Sequence, residues 1–186
     1  MFILASTSPR RKELFSFISK DFKIIAPNFD ESKIDKSTNH LALIESKGKA
    51  YSIKNLVNPE DIIISCDTIV TLNGEVFGKP KNFEDAFLTL KKLSNNTHEV
   101  ISGFTILYKD KEINKESVTK VTFNKLSDEQ ITNYINSENV YDKAGSYAIQ
   151  DDKKFNIIKS IDGSFYNVMG FPLEDIKKEL LALHLL

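Results

Sequence analysis

A single cysteine, Cys66, stands in a chain of 186 residues, so an internal disulfide framework and a cysteine-based zinc site are both excluded. The three histidines, His40, His98 and His184, are scattered without metal-ligand spacing. Charge of either sign is not in surplus: the net charge is −1, which argues against general nucleic-acid binding, since that needs a basic excess to neutralise several phosphates. Glycine is sparse, with 7 residues, and is nowhere gathered into a phosphate loop or a dinucleotide fingerprint, so the Walker and Rossmann binding modes are not supported. No apolar run reaches transmembrane length, and the amino terminus enters a strand with no basic leader region, which gives the expectation of a cytoplasmic protein without a membrane partner. Internal repeats, low-complexity tracts and long linkers are absent too. With about two-fifths of its residues hydrophobic, the chain is long enough for one substantial core, or for two lobes sharing one.

Arginine is the scarcest charge. Only Arg10 and Arg11 occur, side by side, and every other basic residue apart from histidine is lysine. A guanidinium offers a planar fork of donors that pairs with phosphate or carboxylate oxygens in a bidentate way, which lysine's point charge does not reproduce. The pair is therefore read as an anion receptor, against the plainer reading of a surface pair on a first helical turn. Its context favours the receptor. Phe2-Ile3-Leu4-Ala5 has the character of a buried strand, Ser8 that of an N-cap, and Pro9 that of a first helical residue. A strand thus runs into a helix start, where free N–H groups and the hydroxyls of Ser6, Thr7 and Ser8 suit a phosphate.

Further along, Phe22 to Ala26 reads as a strand, Asp30-Glu31 falls in a loop, and Leu41, Ile44, Lys47, Ala50 and Tyr51 fit one side of a helix interrupted by Gly48. Asp61 to Leu72 is the most apolar segment and predicts a central strand, turning at Asn73-Gly74 into Glu75-Val76-Phe77. Asn82 with Asp85, and Ser127 with Gln130, resemble capping boxes opening two helices. Between these helices, His98 to Tyr108 and Glu112 to Phe123 predict a long hairpin. Asp142 to Gln150 reads as a loop leading to a strand, a last strand is expected near Phe155 to Ile161, and Pro172 starts a final helix. Strands and helices alternate early and a hairpin dominates the middle, which predicts an α/β protein with a mixed sheet covered by helices.

Asp67 is the only charge between Asp61 and Glu75. A buried carboxylate needs a partner, a metal ion or a water to activate, because an unpaired one is costly. The plain alternative is a carboxylate that ends the strand and caps a turn. Thr68 reads first as a β-branched strand residue and Cys66 as a small buried one. Lys79, held between Gly78 and Pro80, is placed to reach a phosphate. Asp30-Glu31 with Asp67 supplies carboxylates for a hard cation such as Mg2+, which binds through one or two carboxylates plus substrate phosphates. Two arginines, a lysine and a carboxylate cluster are the parts that polyphosphate hydrolysis requires.

At this point the ordered motifs resemble those of a known family. Leu4 to Leu14, Phe29-Asp30-Glu31, Lys47, Cys66 to Val70, Gly78-Lys79-Pro80, Thr97 to Val100, Asp142 to Gln150 and Ile161 to Leu173 are together similar to the Maf family of nucleoside triphosphate pyrophosphatases, once described as septum-formation inhibitors. The likeness covers nearly the whole chain and implies a single Maf-like domain over 1–186. It implies a fold similar to the inosine triphosphatase group: a mixed β-sheet flanked by helices, in two lobes with a deep cleft. It also implies cleavage of a nucleoside triphosphate to monophosphate and pyrophosphate with a divalent cation, Mg2+ or Mn2+, and a homodimer by analogy. By position, Asp67 is implied as the proton acceptor; Arg10, Thr68 and Gln150 as residues of substrate choice; and Glu31, Lys47 and Lys79 as polar residues of the cleft. Ser6 and Arg11 join the substrate-binding set, and Glu31 and Asp67 are the metal candidates. Ser-Pro-Arg-Arg and Asp-Lys-Ala-Gly followed by Ile-Gln mark the branch acting on dTTP and UTP, and the Gln150 amide can pair with the O4 and N3–H edge of uracil or thymine. Two other readings stay open: a nucleotide-binding regulator of cell division, and a relative directed at 7-methyl-GTP or non-standard purine triphosphates. Asp151-Asp152 departs from the family pattern, in which a glycine-containing turn commonly follows the glutamine.

Overall fold

The computed structural model describes all 186 residues. In chain order the strands and α-helices are β1 (Phe2–Ala5), α1 (Pro9–Phe15), β2 (Phe22–Ile25), α2 (Leu41–Ile53), β3 (Ile62–Leu72), β4 (Glu75–Phe77), α3 (Phe83–Leu93), β5 (Thr97–Tyr108), β6 (Lys111–Phe123), α4 (Asp128–Ser137), α5 (Asp152–Phe155), β7 (Ile158–Asp162), α6 (Phe165–Val168) and α7 (Leu173–Ala182). The sheet has seven strands in the order β2-β1-β3-β5-β6-β7, with β4 paired to β3. It is mixed, as the alternation of elements predicts. β1 runs parallel to both β2 and β3, which requires crossovers and obtains them through α1 and α2. The β3–β4 and β6–β7 pairs are antiparallel.

Local chemistry sets many of the boundaries. Asn73 and Gly74 both take positive φ, 52° and 82°, as a two-residue hairpin turn demands. Ser127 and Gln130 cap α4 reciprocally. The Asn82 cap is one-sided: its side chain accepts from Asp85 N, while the Asp85 carboxylate accepts from Lys81 N instead of reaching back to Asn82. Gly48 sits in the middle of α2 because a Cβ there would lie 2.1 Å from the Phe29 ring. That close approach offsets the usual helical cost of glycine.

Two compact units divide the chain. The first comprises Met1–Thr68, Ser102–Ser117 and Gly170–Leu186. Its core includes Ile3, Ala5, Ala50, Ile53, Ile63 and Leu107, all buried. The second comprises Ile69–Ile101 and Val118–Met169. Its core gathers Phe77, Leu90, Phe123, Ile131, Tyr134 and Tyr147 with their neighbours. Here His98, Phe123 and Tyr147 meet edge to face, with centroids 4.7 to 5.4 Å apart. No helix is long and apolar enough to cross a membrane.

The carboxyl-terminal third differs from expectation in two places. Phe155 ends the short helix α5, so β7 begins later than the apolar run suggests. The segment leading to it is not a plain loop: one-turn 3-10 helices occupy Ala144–Ser146 and Ile149–Asp151.

Candidate active site

β1 and β3 are in register with Ala5 opposite Ser65, so the turn after β1 leaves the ladder beside Cys66 and Asp67. That turn is built by its own hydroxyls. Ser6 Oγ accepts from Ser8 N at 3.1 Å, and Ser8 Oγ accepts from Arg11 N at 3.5 Å as the N-cap of α1. Pro9 occupies the first turn of that helix. Arg11 is thereby aimed inward: its Nε donates to the Gly170 carbonyl at 2.9 Å and its Nη2 to Thr68 Oγ1 at 3.4 Å. The same Nη2 lies 3.8 Å from Asp67 Oδ1. Gly170 serves this contact with φ of +100°, a conformation that favours glycine. Thr68 Oγ1 also bonds Ser102 Oγ at 2.8 Å. Arg10, one position earlier on α1, is half-buried.

The opposite wall of the cluster comes from α2. Residues 62 to 67 of β3 are all buried, because this strand is covered on both faces. α2 packs on the sheet at unusually close range: a Cβ on Gly103 of β5 would stand 2.2 Å from Leu43 N. Ser65 Oγ donates to the Ser46 carbonyl at 2.6 Å, and Ser46 Oγ bonds Thr105 Oγ1 at 2.9 Å. Glu45 and Lys49, four residues apart, share the resulting inner face and are both buried. Lys49 Nζ contacts Asp67 Oδ1 directly and Glu31 Oε1 at 2.6 Å.

The electrostatics follow from this crowding. Burial works to raise the pKa of Asp67, but the charge of Arg11, then that of Lys49, and hydrogen bonds from Glu45 and Lys49 outweigh it and hold the carboxyl below its usual 3.8. Glu45 moves the other way. Burial first, then its hydrogen bond to Asp67 and the charges of Asp67 and Glu31, push it up to about 8, so it is protonated at neutral pH. Burial disfavours the Lys49 ammonium and the Asp67 charge favours it, with the net direction upward from 10.5. The ion pairs of this wall join Asp67 to Arg11 and Lys49, and Glu31 to Lys49 alone. Burial raises the Cys66 thiol, whose Sγ points at the Gly170 carbonyl at 3.6 Å. It is a packed residue, not a nucleophile.

The donor set bears on a divalent cation. No group of three or more histidine, cysteine, aspartate or glutamate side chains is arranged to hold one. Asp67 and Glu31 converge on the Lys49 ammonium and not on a vacant point. Such oxygens fit a hard cation that takes one or two protein carboxylates and completes its shell on substrate phosphates and water.

Of the residues singled out in the sequence, the first unit brings together Arg11, Glu31, Asp67 and Thr68, with Ser6 shaping the adjoining turn. Lys47 is elsewhere on α2: its Nζ pairs with Glu112 Oε1 at 2.7 Å and is half-exposed. Lys79 and Gln150 belong to the second unit and are both exposed, Lys79 between β4 and α3 and Gln150 in the Ile149–Asp151 turn. Sequence reasoning missed Lys49 and Glu45. The only available signal was their i, i+4 spacing, and it is masked because the buried face of α2 carries Glu45, Ser46 and Lys49 among its apolar members.

Against known structures, the fold is similar to that of the Staphylococcus aureus Ham1 protein, with a TM-score of 0.55 over 98% of both chains at 14% identity, a likeness of fold alone. A mixed-sheet α/β protein with a buried acid between an arginine and a lysine is thus the class defined. The family description "Maf-like protein" matches residues 1–183, and the chain belongs to that family. A Clostridium perfringens protein named dTTP/UTP pyrophosphatase is 43% identical over 182 residues, 96% of this chain and 94% of its own. A Thermosipho africanus protein of the same name is 42% identical over 174 residues, covering 94% and 88%.

Proposed function

We propose that this protein hydrolyses dTTP and UTP to the nucleoside monophosphate and pyrophosphate, the whole chain acting as one Maf-like domain. The observation that carries the reading is the buried Asp67, ionised and gripped by Arg11 and Lys49, in a chain about two-fifths identical to proteins named for that activity. In this reading Asp67 accepts the proton of an attacking water. The water oxygen bonds to the α-phosphorus, the bond to the α–β bridging oxygen breaks, and pyrophosphate departs. At rest both cations depress the basicity of Asp67. A triphosphate competing for Arg11 and Lys49 draws them off the carboxylate and leaves one of its oxygens free to accept the proton when substrate is present. Arg10, Arg11 and Lys79 bind phosphate oxygens, Ser6 and Thr68 add hydroxyls, and Gln150 pairs with the uracil or thymine edge. Lys47 joins substrate binding by leaving its resting partner, Glu112. Asp67 and Glu31 are the residues that would hold a Mg2+ or Mn2+ ion arriving with the triphosphate, and such an ion would supply neutralisation of developing phosphate charge. The protein acts in the cytoplasm as a homodimer, as the family likeness implies; sedimentation of the purified chain measures the latter.

The test is a panel of nucleoside triphosphates with Mg2+ or Mn2+, scored for pyrophosphate. dTTP and UTP are expected to lead it, and Asp67→Asn is expected to lose about 10² to 10⁴ in kcat while still binding nucleotide. Full turnover in Asp67→Asn removes that residue from its role. Preference for inosine or methylated guanosine triphosphates overturns the pyrimidine reading, and nucleotide binding without hydrolysis points to a regulator instead.

A further inference from the structure

The exposed Gln150 stands on a turn held by a buried side chain from another element. Tyr134 of α4 is 1% exposed, and its ring meets Phe155 edge to face at 4.9 Å. Its hydroxyl donates to Asp151 Oδ2 at 2.7 Å and accepts from Ala148 N at 3.1 Å. One oxygen thus ties the backbone two residues before Gln150 to the side chain one residue after it. The next acid, Asp152, accepts from Ile158 N at 2.6 Å through Oδ1, closing the far side of the turn. Upstream, Tyr147 OH and His98 Nε2 are bonded at 2.7 Å in the core of the same unit. The acidic pair that stands out in the sequence is therefore used twice as a hydrogen-bond acceptor, shaping the backbone on either side of the turn.

We propose that Tyr134 is a positioning residue for base choice: by bridging Ala148 and Asp151, its hydroxyl fixes the turn that presents the Gln150 amide. This rests on the reading of Gln150 as the group that pairs with uracil or thymine. An amide discriminates between bases only if its donor and acceptor are held in place, since a freely rotating one pairs equally well with the reversed edge of cytosine. Without the hydroxyl, Ala148 N–H loses its acceptor, the Asp151 carboxylate loses its donor, and the turn is no longer closed across Gln150.

The experiment compares kcat/KM for UTP and CTP in the intact chain, with melting temperature recorded alongside. Tyr134→Phe is expected to narrow the UTP/CTP ratio about tenfold, a difference of about 1.4 kcal/mol, through KM for UTP and not kcat. Asp151→Asn keeps an acceptor for the hydroxyl and is expected to retain the ratio, whereas Asp151→Ala narrows it. That second pair carries the test if Tyr134→Phe does not fold. A lower melting temperature with UTP and CTP turnover reduced in proportion would show a purely structural role and overturn the inference. Gln150→Ala separates the two levels. If it narrows the ratio and neither Tyr134→Phe nor Asp151→Ala does, the positioning role falls while the reading of Gln150 stands. An unchanged ratio in Gln150→Ala overturns both.

Discussion

Replacing Lys49 with methionine keeps an unbranched side chain, shorter only by the terminal nitrogen, and removes the charge that Asp67 and Glu31 share. Breaking a buried ion pair from one side typically costs 3–5 kcal/mol, because the remaining charge is left uncompensated. Here Asp67 keeps Arg11 at 3.8 Å, so the cost falls at the low end, about 3 kcal/mol. The Glu31 contact adds little, since that side chain is half-exposed and screened. For a chain of this size each kcal/mol shifts Tm by roughly 2–4 °C, so Lys49→Met should melt about 6–12 °C below the parent at pH 7. The pH dependence gives the sharper check. Asp67 is held below 3.8, so its contribution is present above that unfolded value and is lost as pH falls through the lower folded value. Lys49 is raised above 10.5, so its share is present below that value and is lost as pH rises through the folded one. The gap in Tm between parent and variant is therefore flat from about pH 5 to 7, widens as Glu45, raised to about 8 and favoured in its charged form by Lys49, ionises in the parent first, and narrows at the acid and alkaline extremes. Calorimetric scans across that range measure it. A variant as stable as the parent at pH 7, or a gap of equal size at pH 3 and pH 7, would refute the assignment of Lys49 as the counter-ion of Asp67.

Two further substitutions probe the same wall. Arg11→Lys preserves charge, but one ammonium cannot reach the Gly170 carbonyl, Thr68 Oγ1 and the flank of Asp67 as the guanidinium does, so kcat/KM should drop by about tenfold or more. Steady-state kinetics equal to the parent's would contradict the planar-fork argument. Gly103→Ala sets a methyl group against the backbone of Leu43 and must push α2 off the sheet, which should cost about 1–3 kcal/mol and lower turnover by displacing Lys49 from Asp67. Denaturant melts report the first effect and pyrophosphate release the second; a variant unchanged in both would mean that α2 does not depend on this close approach.

Much of the architecture was legible because local chemistry and tertiary demand agree. Pro9 after Ser8, Asn73-Gly74 and Ser127 with Gln130 each specify a backbone event with short-range physics, and each occurs where the residues stand. The conflict came where a helix face is polar and buried. In α2, Leu41, Ile44, Lys47, Ala50 and Tyr51 suggest one inner side; Leu41 and Ala50 are buried accordingly, yet Ile44, Lys47 and Tyr51 are exposed, and the packed side runs on through Ala42, Glu45, Ser46 and Lys49. No periodicity argument finds a face whose burial is sustained by ion pairing and backbone contact with Gly103. α5 and α6 are four residues each, too short to leave a periodic trace. For the site, Asp67 and Arg11 announced themselves by rarity, whereas Lys49 is one lysine among many and acquires meaning only from the packing of α2 on β3, where Ser65 Oγ bonds the Ser46 carbonyl.

The bond from Arg11 to the Gly170 carbonyl spans 159 positions of sequence. During synthesis on the ribosome, the turn after β1, α2 and β3 all emerge well before Gly170, the anchor that orients the guanidinium. A nascent chain thus carries its buried acid and the lysine beside it well before the arginine can be locked.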